Sequence, residues 1–217
     1  MLFYCCIMKT ILYLVSLFLV NITCIAQVNF STISYGHDSY RPQELFFGDS
    51  LEVYQVGQCS VRGTTNGQIT WQGYCYTPLY LFGGAAPSHA NCFVVGAKGV
   101  IRKNEACELF GNWKDQVSNT LDTLFSIKFY NKDTGFIAGE NGKILRTFNN
   151  GNSWTTIASG VTETLRKLII TPNKNLFAAG NNGTIIKSTD TAQTWQGLTT
   201  GINVHLFDIV SVGNNIL

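Results

Sequence analysis

The chain has 217 residues and a formal net charge of +2 at neutral pH, and only 13% of its residues are charged. A soluble domain usually carries about 25% charged residues. The net charge is too small to indicate a surface for nucleic acid, and the sequence has no basic run. Aromatic residues make up 12%, and glycine is abundant with 21 residues. This composition favours many short strands joined by tight turns rather than helices.

Residues 1–26 predict a secretory signal peptide. A single positive residue, Lys9, precedes an apolar stretch over residues 11–20, and a small-x-small cleavage site ends at Ala26. The apolar stretch is about ten residues long, which is too short to span a bilayer unaided. We therefore expect an exported protein, secreted, periplasmic or on the surface of a bacterial cell, with no stable membrane span after cleavage.

Two details of this leader remain open. The residues before Met8 carry no charge, which favours translation starting at Met8. Cys24 could instead accept a lipid, or the leader could stay uncleaved as an anchor, and both are kept as alternatives.

Three sets of residues recur at intervals close to 41 in the remaining chain. They are the tryptophans Trp71, Trp113, Trp154 and Trp195, the glycines Gly57, Gly96, Gly139 and Gly180, and the leucines Leu124, Leu165 and Leu206. Periods of roughly 40–50 residues with several strands each are typical of β-propeller blades. We therefore predict an all-β propeller over residues 27–217, built from four-stranded blades.

The predicted blades follow one another along the chain. Their approximate bounds are 36–75, 76–117, 118–158 and 159–199, with a partial fifth blade at 200–217. In the second blade, the small residues of Phe82–Asn91 predict a flexible loop. Residues 206–217 correspond to strand one and the start of strand two of the fifth blade. We expect the chain to be a piece of a larger propeller, with an unusual closure of the ring as the alternative.

Blade three is the clearest repeat. Its predicted strands are Leu124–Tyr130, Phe136–Gly139, Lys143–Phe148 and Trp154–Ala158. Asn141-Gly142 suits the tight hairpin between the second and third strands, because both residues tolerate positive φ. Asn182-Gly183 takes the same place in blade four.

The loops before the tryptophans resemble the Asp-box, or bacterial neuraminidase repeat, Ser/Thr-x-Asp-x-Gly-x-Thr-Trp. The matching residues are Thr147, Asn149, Gly151, Ser153 and Trp154 in blade three, and Ser188, Asp190, Thr194 and Trp195 in blade four. Short polar side chains bond the backbone of their own loop, and the glycine position favours a left-handed conformation. We expect structural roles for all of these residues, and we expect Trp71 and Trp113 to anchor their blades in the same way.

The longer pattern F-x-x-x-x-x-G-F-I-A-G-x-x-G-K-I-L-R-T-F-N-N-G-x-S-W resembles the repeats of the photosystem II stability and assembly factor family. The resemblance is close over residues 124–195, fair over 51–71 and weak in blade two. It implies a propeller, seven-bladed in the assembly factors, that serves as a docking platform. Related repeats occur in many exported bacterial proteins without a photosystem, so the resemblance does not identify a partner.

Four cysteines remain after the leader, and an even number in an exported chain predicts two disulfides. The blade register favours the pairs Cys59–Cys75 and Cys92–Cys107, with Cys59 at the turn between the second and third strands of blade one. Each pair closes a loop of about 15 residues, worth about 3 kcal/mol in the chain-entropy model. Four buried free thiols are the alternative.

No catalytic, metal-binding or cofactor-binding residues are predicted. Sialidases share the Asp-box, and they use an arginine cluster and a Tyr–Glu nucleophile pair. The arginines and histidines of this chain show neither a convergent arrangement nor a metal-ligand spacing. They are Arg41, Arg62, Arg102, Arg146 and Arg166, and His37, His89 and His205.

We therefore predict an exported, non-enzymatic propeller that binds a protein or a glycan as a scaffold, with a sialidase-like glycoside hydrolase as the alternative. Binding residues usually lie in loops on a rigid scaffold. The expected binding face carries the loops between strands two and three and the loops between blades. These loops lie at Lys98, Glu140-Asn141, Asn181-Asn182, Thr77–Tyr80, Asp115–Asp122, Ser159–Thr164 and Thr199–His205.

Overall fold

The computed structural model describes residues 42–47, 53–64, 72–88, 90–107 and 113–217. Several of the predictions concern residues outside these ranges. They are the signal peptide, Trp71, Arg41, His37 and His89, together with the side chains of Cys59, Cys75 and Arg62.

The described residues form strands and three single turns of 3-10 helix. The strands are β1 (Pro42–Phe47), β2 (Val53–Thr64), β3 (Gln72–Ser88), β4 (Asn91–Gly96), β5 (Ile101–Asn104), β6 (Lys114–Gln116), β7 (Leu124–Phe129), β8 (Gly135–Gly139), β9 (Ile144–Thr147), β10 (Thr155–Ile157), β11 (Leu165–Ile170), β12 (Leu176–Gly180), β13 (Ile185–Ser188), β14 (Gln196–Leu198), β15 (Ser211–Val212) and β16 (Asn215–Ile216). The turns are Ala97–Gly99, Glu140–Gly142 and Asn181–Gly183. The chain is therefore all-β over the residues described, as predicted.

Blades three and four are antiparallel four-stranded sheets, formed by β7–β10 and β11–β14 in chain order. The second half of β3 with β4, β5 and β6 has the same order and forms blade two. In each of these three blades the first strand has an irregularity after a leucine that pairs with the periodic glycine. Leu81 is therefore a member of the leucine set that the sequence analysis missed, because it lies 43 rather than 41 residues before Leu124.

The flexible loop predicted at Phe82–Asn91 is wrong, because residues up to Ser88 belong to strand β3 and pair with β4. The small residues of this segment allow neighbouring groups to pack closely against the strand. A side chain at Gly83 would come within 2.7 Å of the Phe125 carbonyl oxygen, and one at Gly84 would overlap the ring of Phe46. Glycine lets a neighbouring strand and ring approach this closely.

Blade one departs from the predicted four-stranded form. Strand β2 runs without interruption from Val53 to Thr64, so the turn predicted at Cys59 is wrong. The first part of β2 pairs with β1, and its second part pairs with the first half of β3. Strand β2 therefore pairs first with β1 and then with β3 without a turn between. A single long strand takes the place of the hairpin found in blades two, three and four.

The tight hairpins are confirmed. Asn141 and Gly142 have φ values of 53° and 64°, and Asn182 and Gly183 have 55° and 69°. The Lys143 N–H donates to the Glu140 carbonyl at 2.9 Å, which closes the turn. Two consecutive positive φ values are those of the type I′ turn, whose twist matches that of the flanking strands.

The hydrophobic core lies between neighbouring blades. One aromatic residue in the second strand of each blade, three residues before the periodic glycine, is buried there. These residues are Tyr54, Phe93, Phe136 and Phe177, with exposures of 1%, 0%, 0% and 5%. Phe93 packs with residues of blade three and Phe136 with residues of blade four, so each blade is completed by the next.

The tail only partly follows the prediction of a fifth blade. Residues 206–210 form no strand, and a two-residue hairpin of β15 and β16 follows them. Ile209 is 4% exposed and packs with Phe177 and Ala179 of blade four. The tail therefore covers the position where the first strand of a next blade is expected.

A disulfide joins Cys92 and Cys107, whose Cα atoms are 5.1 Å apart, and this is one of the two predicted pairs. The Tyr54 hydroxyl donates to the Cys107 carbonyl, which ties the bridge to blade one. The backbone pairs Ser60 with Cys75, next to Cys59.

We expect peptide mapping of the purified protein without reductant to recover both Cys92–Cys107 and Cys59–Cys75 peptides, since both pairs are local in the strand register. Alkylation before digestion is the control for exchange. A Cys59–Cys92 peptide or four alkylated cysteines would contradict the register.

Candidate functional site

Several of the loops expected to form a binding face lie together, but the loop expected at Thr77–Tyr80 is wrong because these residues belong to strand β3. The Asn141 amide donates to Asp122 Oδ1 at 2.8 Å, and the Gly142 N–H donates to the Glu163 carbonyl at 3.0 Å. We call this side of the blades, with the turns between second and third strands and the loops between blades, the hairpin face. The loops before the tryptophans lie at the other end of the strands, where the Asn150 N–H donates to the Asp133 carbonyl. We call that side the tryptophan-loop face.

A repeated hydroxyl motif holds the loops of the hairpin face. The Ser159 hydroxyl donates to the Val161 carbonyl and accepts from the Val161 N–H, and Thr200 makes the equivalent bonds with Ile202. Ser118 repeats the pattern in blade two. Such side-chain bonds to nearby backbone stabilise turns. This motif was not predicted from the sequence, although its hydroxyl residues recur every 41 residues.

The tryptophan loop of blade four is held by Asp190. Its carboxylate accepts from the Thr194 hydroxyl at 2.6 Å, the Thr194 N–H at 3.0 Å and the Ser188 hydroxyl at 2.8 Å. These bonds, those from Thr194 first, outweigh desolvation and lower the pKa of Asp190 from 3.8 to about 2. A carboxylate so engaged is kept ionised and cannot serve as a proton donor near neutral pH.

The tryptophan loop of blade three has equivalent bonds, with the Asn149 amide in the place of the Asp190 carboxylate. Asn149 Oδ1 accepts from the Thr147 hydroxyl at 2.9 Å and from the Ser153 N–H at 3.0 Å. The Gly151 N–H donates to Thr147 Oγ1, as the Ala192 N–H donates to Ser188 Oγ in blade four. Gly151 has φ of 73° and Ala192 has φ of 59°, so this position is left-handed in both loops.

We expect Asp190→Asn to cost much less stability than removal of a tryptophan, because Asn149 shows that an amide suffices. A lowered carboxyl pKa stabilises the fold above the usual pKa, and that contribution is lost as the pH falls from about 3.8 to about 2. Urea unfolding of both proteins between pH 5 and pH 2 should show the wild type losing stability relative to the variant. A difference that stays constant, or an activity lost without loss of stability, would contradict this role.

The tryptophans pack across blades. Trp154 is 5% exposed and lies edge-on to Phe93 of blade two, with ring centroids 6.4 Å apart. Trp195 packs in the cluster that contains Phe136 of blade three, and Trp113 packs in the cluster formed by blades one and two. Each ring therefore fills the interface between its own blade and the preceding one.

Cations of the third strands make a second connection between blades. Lys103 of blade two donates to Asn152 Oδ1 of blade three at 3.2 Å. Arg146 of blade three donates to the Thr191 carbonyl of blade four at 3.2 Å. Each cation thus holds the tryptophan loop of the next blade, a repeat that the sequence analysis did not recognise.

The residues that follow the periodic leucines form a row of three rings and one guanidinium on the hairpin face. We call this row the aromatic arc: Phe82, Phe125, Arg166 and Phe207. The rings of Phe82 and Phe125 are 5.0 Å apart, and the Arg166 guanidinium lies 5.5 Å from the Phe125 ring and 4.8 Å from the Phe207 ring. These positions lie on the innermost strands, or on the tail that follows them, so consecutive blades each contribute one side chain.

The arc is accessible. Phe207 is 68% exposed, and Tyr80, whose ring stacks 6.4 Å from that of Phe82, is 48% exposed. Phe82, Phe125 and Arg166 are half-buried. The arc was not predicted, because its members are of two residue types and only their place after a leucine relates them.

Charged residues of the innermost strands form a cluster near the arc. Glu44 Oε1 lies 2.9 Å from Lys128 Nζ and 3.0 Å from Lys167 Nζ, although the three residues belong to blades one, three and four. Glu44 Oε2 also accepts from the Gly84 N–H at 3.1 Å. The Ser126 hydroxyl accepts from the Leu168 N–H in the equivalent way, so side chains of one innermost strand bond the backbone of the next. The cluster consequently joins blades one to four.

The described arginines do not converge. Arg102 pairs with Asp115, Arg146 reaches a tryptophan loop, and Arg166 lies in the arc. His205 Nδ1 accepts from the Asn182 N–H on the hairpin face. Within the described ranges, no group of three or more His, Cys, Asp or Glu residues is placed to hold a metal ion.

Helices are also short in the part of the chain that the structure describes. None of them is both long and apolar enough to cross a membrane.

No known protein family matches the chain, and no curated protein matches it. Its fold is shared with solved β-propellers. YCF48 bound to a D1 peptide superposes with a TM-score of 0.61 at 15% identity, covering 73% of this chain and 53% of that one. The WD40 propeller of Doa1 gives 0.66 at 12% identity, covering 79% and 58%. An ancestral GH74 enzyme gives 0.61 at 18% identity, covering 73% and 24%.

These likenesses confirm the predicted fold class: the described chain is an all-β propeller with four-stranded antiparallel sheets. At such identities they show the fold alone. The chain spans about half the length of the YCF48 structure and about a quarter of the GH74 enzyme. The total number of blades stays a prediction.

Proposed function

We propose that this protein is an exported, non-enzymatic propeller that binds a protein or glycan partner through its hairpin face and acts as an assembly scaffold. The observation that carries the proposal is the accessible aromatic arc on a rigid set of innermost strands. Aromatic residues and arginine are enriched in the centres of protein interfaces, where a few such side chains supply most of the binding energy.

The hairpin face has the stiffness that a binding platform needs. Its turns are type I′ hairpins, and the hydroxyl motif fixes the loops between blades. A scaffold held in this way loses little conformational entropy when a partner binds. The propeller neighbours include a binding protein, YCF48, whose structure holds a D1 peptide.

Glycoside hydrolysis is the second candidate, and the GH74 neighbour is the observation that favours it. Such enzymes use a pair of carboxyl groups, and the general acid of the pair has a raised pKa. Asp122 lies on the hairpin face, but its pKa is below the ordinary value. Burial raises that pKa, and hydrogen bonds from Thr120, Asn141 and Lys143 lower it by more. Asp122 is therefore poorly suited to donate a proton.

Export is part of the proposal and rests on residues 1–26 and the cysteines. The Cys92–Cys107 disulfide supports an oxidising compartment, because such bonds persist in exported proteins and are rare in the cytosol. A cleaved amino terminus at Gln27 in protein recovered from the culture medium or periplasm would support it.

The binding proposal is tested by comparing Phe125→Ala with Phe148→Ala. Both remove a phenylalanine ring, but Phe148 is 58% exposed and lies in the tryptophan loop of blade three. Arrays of glycans and of short peptides should bind the unmodified chain and Phe148→Ala equally, and Phe125→Ala more weakly. Hydrogen exchange with a bound array member should show protection on the hairpin face.

The opposite results separate the alternatives. Protection confined to residues 148–153 and 189–194 would refute the hairpin face as the binding surface. Hydrolysis of sialosides or other glycosides by the full chain, abolished in a single carboxylate variant, would favour the hydrolase.

A further inference from the structure

Arg166 is the only cation in the aromatic arc, and it is held in a fixed position. Its Nε donates to Asn181 Oδ1 at 2.7 Å, and its guanidinium lies between the rings of Phe125 and Phe207. The Asn181 N–H in turn donates to the Thr164 carbonyl at 2.9 Å. The side chain is therefore positioned from three directions before any ligand arrives.

The rest of the guanidinium is available. Among the described residues, Arg166 forms no ion pair, and its two terminal nitrogens make no hydrogen bond. A planar guanidinium with both terminal N–H groups free matches a carboxylate, which it binds through two parallel hydrogen bonds. The half-buried position beside two rings limits competition from water, so the charge attraction is stronger than on an open surface.

We propose that the aromatic arc binds a peptide segment in which a carboxylate pairs with Arg166 while neighbouring apolar side chains lie on Phe82, Phe125 and Phe207. This inference rests on the proposed binding function and specifies its partner. The carboxylate can come from the peptide's carboxyl terminus or from an Asp or Glu side chain.

The surroundings favour a peptide over a sugar. A sugar presents hydroxyl groups around its ring and needs several polar partners, whereas three polar side chains near the arc each already use one acceptor atom in a bond within the protein. Asn181 Oδ1 accepts from Arg166, Glu140 Oε2 accepts from the Thr123 N–H, and His205 Nδ1 accepts from the Asn182 N–H. One free cation within a row of rings instead suits one carboxylate within an apolar segment.

The test measures binding of the full 217-residue chain to synthetic peptides rich in Phe, Leu and Tyr. Each peptide is made with a free carboxyl terminus, as its amide, and as an amide with one internal Glu. Either form with a carboxylate should bind about tenfold tighter or more than the plain amide, the gain expected from a hydrogen-bonded charge pair. The stronger of the two identifies the source of the carboxylate.

Two variants locate the effect. Arg166→Gln should abolish the difference between acid and amide. Lys132→Gln removes an exposed cation from the loop between β7 and β8, on the tryptophan-loop face, and should leave the difference unchanged. If Arg166→Gln fails to fold, Arg166→Lys replaces it; this variant keeps the charge, loses the paired bonds and should reduce the difference.

The contrary outcomes are distinct. Equal binding of acid and amide, lost in Phe125→Ala, would overturn this inference and leave the binding proposal standing. An equal loss in Lys132→Gln would show general charge attraction, and an unchanged difference in the Arg166 variants would exclude Arg166 as its cause. Binding of oligoglucuronate but of no peptide would leave only the glycan form of the proposed function. If nothing binds at the arc, both proposals fail.

Discussion

Trp154→Ala should lower the free energy of unfolding by about 3–5 kcal/mol, the cost of deleting a large buried aromatic side chain. The ring is 5% exposed and packs with Phe93 and Phe129, whose centroids lie 6.4 and 6.2 Å away. Because these neighbours belong to two blades held by their own strands, we expect little collapse into the cavity. Urea unfolding followed by circular dichroism measures the change.

Phe148→Ala is the matched control for Trp154→Ala. Phe148 lies in the same tryptophan loop, but it is 58% exposed and contacts Arg146 through its ring face. Its removal should cost about 1 kcal/mol or less. If both variants lower the free energy of unfolding equally, the tryptophan does not stabilise the protein through packing between blades.

Gly142→Ala should cost about 2–5 kcal/mol, the sum of a left-handed backbone at a residue with Cβ and of forced overpacking. Gly142 has φ of 64°, and an added methyl group would overlap the Val161 carbonyl oxygen. The loop that presents this oxygen is fixed by Ser159, so it cannot move aside cheaply. The same unfolding measurement applies.

Gly160→Ala separates the two contributions. Gly160 has φ of 78°, but no atom lies within 4 Å of the position of an added Cβ. It should show the backbone cost alone, about 1–2 kcal/mol. A Gly142→Ala variant no less stable than Gly160→Ala would mean that the hairpin turn does not press on the loop between blades.

The sequence predicted the blades well where spacing is regular. Blades three and four repeat without insertion, and the bonds of their tryptophan loops join residues at most four apart, as Ser188, Asp190 and Thr194 show. Such bonds follow from local residue types alone. The loop predicted at Phe82–Asn91 was wrong because the sequence does not distinguish a glycine in a loop from a glycine packed beneath a neighbouring strand. Only the approach of Phe46 and Phe125 distinguishes the two cases.

The candidate site was harder to predict than the fold. The members of the aromatic arc share a register position, but Arg166 interrupts a row of phenylalanines, so the repeat is hidden. The charged cluster has no repeat at all, since Glu44 meets lysines 84 and 123 residues away. Contacts of that separation depend on how the blades converge, and no local pattern encodes them.

The contacts of Glu44 also bear on the order in which the chain can fold during synthesis. A chain emerging from the ribosome exposes strand β1 long before Lys128 and Lys167 have been made. Both ammonium partners of the Glu44 carboxylate are present only after strand β11 has been synthesised. Contacts between distant parts of a chain form only after the loop between them has lost conformational entropy, and this cost slows folding. Strand β1 can pair with β2 soon after it is made, but the Glu44 side chain gains its last partner only when β11 is present.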